Sequence, residues 1–266
     1  MNPASYAGQD DSAGQAGEPS DGPAPSVVPE RPALDPGRCV VLVPFVGSIV
    51  PDCEAGLREL ERRGHPVRRV GGYAAIDQGR SQMATDALAD GFDETFWIDS
   101  DIGFHPDDVA KLRHHDLPIV AGIYPQKGTP RLTSHLLPGT PRLTFGARGG
   151  LIEILYAGAG FLHVRRGVYE AIHRQLALPV CNARFGRPLV PYFLPLLQAE
   201  GDGHWYLAED FAFCERARRC GFAIRADTTV RLFHVGACRY GWEDAGIDRP
   251  RYASFTLEFD GPARGA

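Results

Sequence analysis

The chain has 266 residues, 44% hydrophobic and 23% charged, enough to bury a sizeable apolar core in one large or two small domains. Lys and Arg number 28 against 33 Asp and Glu, a formal net charge of -5, which offers no electrostatic footprint for nucleic acid or acidic membranes. No apolar run approaches the roughly 18 residues of a membrane span, and the six cysteines contain no CxxC pair, so a protein that does not span the membrane, with reduced and mostly buried thiols, is expected.

In chain order, MNPASYAGQDDSAG lacks the basic start and apolar stretch of a secretory signal, and a cytoplasmic location is expected. Residues 1–37 are rich in Ala, Gly, Pro, Ser and Asp, too little apolar surface to offset the entropy of ordering, and predict a disordered tail. From Arg38 the run CVVLVPF is apolar and β-branched, which predicts a buried strand. A helix follows, opened by Asp52 and Glu54 and closed by Gly64. The alternation then repeats: PVRRV as strand, GRSQMATDALADG as helix, ETFWI as strand, PDDVAKLRHH as short helix and LPIVAGIY as strand. Strands alternating with helices of this length predict right-handed crossovers and an α/β fold with a largely parallel sheet covered on both faces. The ordered domain is expected over 38–250, with a C-terminal tail over 251–266. The first strand leads into VGSIVPDC, without the GxGxxG turn of a dinucleotide-binding fold.

Four short segments carry chemistry. Asp99-Ser100-Asp101 closes an apolar strand, and two acids spaced i, i+2 in extended chain point the same way, offering oxygen ligands to a hard divalent cation and, through it, to a diphosphate. Asp is also a common turn residue. Tyr156 to Leu162 followed by HVRRGVYEAI is a glycine turn, a strand and a helix; Gly158 and Gly160 either let the backbone approach a ligand or form a plain tight turn. Glu209 and Asp210 open the helix FAFCERARRCG, where the helix dipole favours acids with no function at all. ADTTVRLFHVG predicts a strand ending at His234, a lone histidine that serves equally well as a core or surface group.

Taken in order, these segments resemble the core of the GT-A-fold glycosyltransferases, which use nucleotide-sugar donors. Asp99-Ser100-Asp101 matches that family's DxD motif, Gly158 to Phe161 its glycine loop, Ala208-Glu209-Asp210 its xED motif and His234 its C-terminal metal histidine. The stretch FWIDSDIGFHPDDVAKL followed by PIVAGIYPQK is also similar to a broad bacterial and phage group of glycosyltransferases. The resemblance implies a GT-A-like, mixed, mostly parallel sheet flanked by helices. It implies metal binding by Asp101, with Asp99 on the metal or the donor ribose and His234 closing a shell suited to Mn2+ more than to Mg2+ alone. Asp210, beside Glu209, becomes the general base if the transfer inverts the sugar, and only orients the acceptor if it retains.

The donor is expected near Pro44, Phe45, Asp77, Arg80, Ser100, Gly158 and Gly160. Phe45 as a core residue, Arg80 as a helix-surface cation and Asp77 as a helix N-cap are the competing readings. The acceptor, a glycan, lipid or protein, is expected beside Trp205 and Tyr206, with the residues 180–203 as a lid and Trp242, Glu243 and Asp244 on the border. Lys127 faces a phosphate or is a solvated loop lysine. A nucleotidyltransferase, a metal-dependent phosphohydrolase and a non-catalytic sugar- or nucleotide-binding relic of the same fold are the alternatives.

Overall fold

The computed structural model describes residues 34–246. The tails expected at 1–37 and 251–266 lie outside this range, except for residues 34–37, which lead into the domain through a 3-10 turn at Pro36–Arg38 with Asp35 accepting from the Gly37 amide at 2.8 Å.

Strand β1 (Cys39–Phe45) is followed by α1 (Pro51–Arg62), β2 (Val67–Gly71), α2 (Ile76–Ala89) and β3 (Glu94–Ile98). Next come β4 (Ile102–Gly103), α3 (Asp107–Arg113), β5 (Ile119–Gly122), β6 (His135–Leu136), β7 (Leu151–Tyr156), β8 (Phe161–Arg165) and α4 (Arg166–Gln175). The chain ends with the hairpin β9 (Leu196–Glu200) and β10 (Gly203–Leu207), then α5 (Glu209–Arg219), β11 (Ile224–Asp227), β12 (Phe233–Val235) and β13 (Arg239–Tyr240). Gly64 and Gly91 take positive φ just beyond α1 and α2, where the turning chain needs a residue without a Cβ.

Eight strands form one mixed sheet in the order β2-β1-β3-β8-β5-β11-β7-β6. Six of them run in one direction, while β7 and β8 run in the other, so that β8 lies antiparallel between β3 and β5. Helices cover both faces. Alternation along β1 and β3 sends Val40, Leu42 and Trp97 into a core with residues of α2, α4 and α5, and Val41, Val43, Phe96 and Ile98 into a second core with α1 and α3. Burial on both faces explains why these strands are continuous apolar runs rather than alternating ones. Among the described residues, no helix is long and apolar enough to cross a membrane.

Two expectations change. The run ADTTVRLFHVG is two strands in different sheets, β11 in the large one and β12 in a three-stranded sheet ordered β13-β12-β4, because the chain turns between Asp227 and Leu232. The segment 180–203 is not a lid over a cleft. Its Leu189, Val190, Tyr192 and Phe193 are buried, Phe193 stacks on Phe213 with ring centroids 4.6 Å apart, and backbone amides of Val190 and Phe193 donate to Thr85 and Ser81 hydroxyls on α2 at 3.0 and 3.1 Å. Residues 196–203 continue into the β9–β10 hairpin.

Candidate active site

Two ladders and a tight turn gather three of the four segments, and Arg80 links the fourth through Glu209. At the end of β3 the Ile102 amide donates to the Asp99 carbonyl at 3.1 Å, so Asp99 to Ile102 is a tight turn and not the extended triplet expected from the spacing. The Asp99 amide donates to the Gly160 carbonyl at 3.0 Å, which prolongs the β3–β8 pairing into the glycine loop. The β4–β12 pairing sets His234 opposite Ile102, and the Val235 amide donates to the Asp101 carbonyl at 2.8 Å. A histidine far along the sequence is thereby fixed beside the acidic turn.

These groups line a cleft of about 500 Å³ at the carboxyl ends of β1, β2 and β3. One end is an apolar shelf of Pro44, Phe45, Val46, Val70, Tyr73 and Ile76, and the other is charged, with Arg80, Asp99, Asp101, Glu209 and His234. The shelf depends on two close approaches: a Cβ on Gly71 would lie 2.9 Å from the Phe45 ring, and one on Gly79 would lie 3.0 Å from the Tyr73 ring. Phe45 is therefore neither a buried core residue nor free of contacts, but half-buried at the rim.

Arg80 is not a helix-surface cation. Its side chain is 3% exposed, its Nη2 donates to Asp99 Oδ1 at 2.6 Å, its Nε lies 3.6 Å from Glu209 Oε1, and its guanidinium rests over the Trp97 ring. Burial opposes its charge, and Asp99 and Glu209 outweigh that opposition. Two of its nitrogens, Nε and Nη1, have no hydrogen-bond partner although they are buried. A buried guanidinium with donors to spare is suited to an anion.

Asp101 faces His234 on one oxygen, Oδ1 to Nε2 at 3.6 Å, and the Lys127 ammonium on the other. Burial raises the Asp101 carboxyl, but His234 and Lys127 bring it down to about 2. His234 Nδ1 sits 2.9 Å from the Pro125 carbonyl, which accepts only from a protonated nitrogen; on a neutral ring the Nε2 lone pair then points at the carboxylate. A lone pair facing a carboxylate fits a cation between them. Among the described residues no group of three or more His, Cys, Asp or Glu is placed to hold a metal ion. Asp99, engaged by Arg80, stands apart, and the fit is to a divalent cation held by Asp101 and His234 with oxygens of a ligand and water completing its shell.

At the start of α5, burial raises the Asp210 carboxyl to about 7, with neighbouring Glu209 adding to the rise and Arg80 opposing it. Acids at a helix N-terminus are normally pulled down by the dipole, so this residue departs from the purely structural pattern. Tyr124, which sequence reasoning used only as the end of a strand, lies between these groups. It is 3% exposed, its hydroxyl accepts from the Gly160 amide at 3.0 Å, its ring meets His234 edge-on at 5.3 Å, and burial together with Asp99 and Asp210 raises its hydroxyl well above the usual range. Its one signal was an aromatic hydroxyl at the carboxyl end of a core strand.

The glycine loop is a tight turn at 159–160 whose glycines lie against Tyr124 and Asp99. A Cβ on Gly160 would lie 2.2 Å from the Tyr124 hydroxyl and 2.8 Å from Asp99 Oδ2, and one on Gly158 would lie 3.0 Å from the same hydroxyl. The absent side chains make room for Tyr124 and Asp99. Gly160→Ala is accordingly expected to destabilise the fold by about 2 kcal/mol through overpacking and to displace Asp99. Thermal denaturation checks it, and an unchanged Tm would show that the loop has spare room.

Other expected site residues lie elsewhere. Asp77 is in the first turn of α2, whose N-cap is Ala75, and does not line the cleft. Trp205 and Tyr206, adjacent on β10, point to opposite faces: Trp205 packs against His135 and Tyr156 at centroid distances of 4.9 and 5.5 Å, and Tyr206 is 64% exposed opposite Leu197. Trp242 stacks on Phe145 at 4.8 Å. Tyr73 on the shelf was missed, since its place follows from the close approach at Gly79 and not from any motif.

No family model matches the sequence, and no curated protein does. Among solved structures, the chain is similar to A197 from STIV, with a TM-score of 0.53 at 15% identity, covering 84% of this chain and 100% of that one. The two share a fold. Structures with lower TM-scores include a glycosyltransferase involved in the glycosylation of the major capsid of PBCV-1, at 0.32 with 11% identity over 50% of this chain and 61% of that one. GalNAc-T7 with UDP, GalNAc and Mn2+ matches at 0.42 with 12% identity, over 82% of this chain and 46% of that one.

Proposed function

We propose that the protein is a divalent-metal-dependent glycosyltransferase that moves a sugar from a nucleoside-diphosphate sugar to an acceptor hydroxyl. The observation that carries this reading is the buried Arg80, paired with Asp99 through Nη2 and with Glu209 through Nε while Nη1 has no partner, at the charged end of a cleft whose other end is an apolar, aromatic shelf. A planar base fits the shelf, between Phe45 and Tyr73, and a diphosphate fits the donors. The order of the four motifs supports the same assignment.

Asp99, Asp101 and Glu209 outnumber Arg80 and Lys127 in the cleft, so a dianionic diphosphate enters unfavourably without additional positive charge. Asp101 and His234 would hold a divalent cation, which would supply that charge beside the leaving diphosphate. Arg80 orients the donor and holds Asp99 in place. Asp210 accepts the proton of the acceptor hydroxyl, and its burial, with Glu209 beside it, raises its pKa to about 7, where the transfer is useful near neutral pH.

A thermal-shift series with UDP, GDP, CDP and their sugars, with and without Mn2+, tests the reading, because a ligand that binds only the folded state raises its apparent stability. A Mn2+-dependent shift with one nucleotide is expected. Asp101→Ala is expected to abolish the Mn2+-dependent part of that shift, and a wild-type shift in this variant would overturn the metal assignment.

A further inference from the structure

The segment after β5 is a small, tightly bonded loop. Pro125 and Leu132 form an isolated bridge, the Gln126 amide donates to the Arg131 carbonyl at 2.7 Å, and Gly128 takes positive φ at its tip. This loop touches the acidic turn at Asp101 and β12 at His234. Its Pro125 carbonyl fixes His234 through Nδ1, and its Lys127 ammonium is paired with Asp101 Oδ2. The alkyl stem of Lys127 lies across Gly236, where a Cβ would come within 3.0 Å of its Cδ. The ammonium is thus seated, by a glycine beneath its stem, on the carboxylate assigned above to the metal.

An ammonium and a divalent cation cannot share one carboxylate without repulsion. The Lys127 side chain is 36% exposed, so it has somewhere to go. Its nature also suits exchange: the chain has only two lysines, and here, instead of the rigid fork of an arginine, stands a compact charge on a flexible stem. We propose that Lys127 is a displaceable counter-cation: a divalent cation entering at Asp101 and His234 releases the ammonium, which then binds the phosphates of the incoming donor. This rests on the metal-dependent reading above and deepens it. Lys127 keeps the acidic turn neutralised while the cleft is empty, and it makes metal and nucleotide bind cooperatively, since the released ammonium finds a new partner only when phosphate is present.

The experiment is a Mn2+ titration of the full chain followed by electron paramagnetic resonance, first with Mn2+ alone and then with each of UDP, GDP and CDP. Wild type is expected to bind Mn2+ weakly alone and much more tightly with one nucleotide. Lys127→Met is expected to bind Mn2+ alone about tenfold tighter and to lose most of the nucleotide-dependent gain. Gly236→Ala, which crowds the stem without removing the charge, is expected to shift Mn2+ affinity in the same direction. Equal or weaker Mn2+ binding by Lys127→Met, with nucleotide binding still metal-dependent, overturns the exchange and leaves the glycosyltransferase reading standing. No loss of the free Mn2+ signal with either protein, with or without nucleotide, overturns both.

Discussion

Asp210→Asn is expected to abolish sugar transfer, by a factor of about a thousand in kcat, while leaving nucleotide affinity within about twofold and making the protein more stable. The reason is the environment of this carboxyl. Burial and Glu209 raise it to about 7, so the folded protein holds a proton that the unfolded chain releases near the ordinary carboxylate pKa. Between those two values the folded state binds more protons than the unfolded state, and stability falls as pH rises through the window. Above pH 7 wild type keeps an ionised carboxylate in an unfavourable place. Asparagine is neutral at every pH and avoids that cost, which is on the order of 2 kcal/mol or roughly 5 °C in Tm.

The same shift fixes the pH dependence of the reaction. A general base works only when ionised, so kcat/KM should rise about tenfold per pH unit below pH 7 and level off above it. Thermal denaturation of wild type and Asp210→Asn at pH 5 and pH 8 provides the check: the variant's advantage should be large at pH 8 and fall to about a third of that at pH 5. A variant that loses stability at both values would show that Asp210 is a structural cap of α5, and a flat rate profile from pH 5 to 8 would remove it as the base.

Much of this arrangement was legible in the sequence where local chemistry decides it. β1 and β3 are buried on both faces, and their unbroken apolar runs announced them. The acidic turn, the glycine loop, the acids of α5 and His234 were visible because each sits where a strand or helix begins or ends. What stayed hidden depends on partners distant in sequence. The direction of β7 and β8 against the other six strands depends on their pairing with β11, β3 and β5, which the glycine turn at 157–160 does not reveal. Burial of Val190 and Phe193 is set by hydroxyls of Thr85 and Ser81 on α2, so an irregular, proline-rich stretch looked like a mobile loop. Period-two alternation separates Trp205 from Tyr206, but only the His135 and Tyr156 rings decide which of them turns inward. Tyr124 and Lys127 carried no motif; their meaning lies in Gly160, Gly236 and Asp101.

Arg80→Met is the complementary experiment, since it should remove binding where Asp210→Asn removes transfer. Methionine fills much of the same space and keeps the contact with Trp97, but it leaves Asp99 and Glu209 without their shared cation. Removing one partner of a fully buried ion pair costs about 3 to 5 kcal/mol. Asp99 and Glu209 side chains are 28% and 18% exposed, so water offsets part of that, and a loss of about 2 kcal/mol is expected. The larger effect is on ligand: with Nε, Nη1 and Nη2 all gone, nucleoside-diphosphate affinity should fall at least a hundredfold, about 3 kcal/mol, in a thermal shift or titration with Mn2+ present. Arg80→Lys separates charge from geometry. An ammonium can satisfy Asp99, which should restore most of the stability, yet it cannot span Asp99, Glu209 and a diphosphate at once, so affinity should recover by no more than a small part. Nucleotide binding retained in Arg80→Met would mean that Arg80 is only a counter-ion for Asp99 and Glu209 and that its unpaired Nη1 serves no ligand.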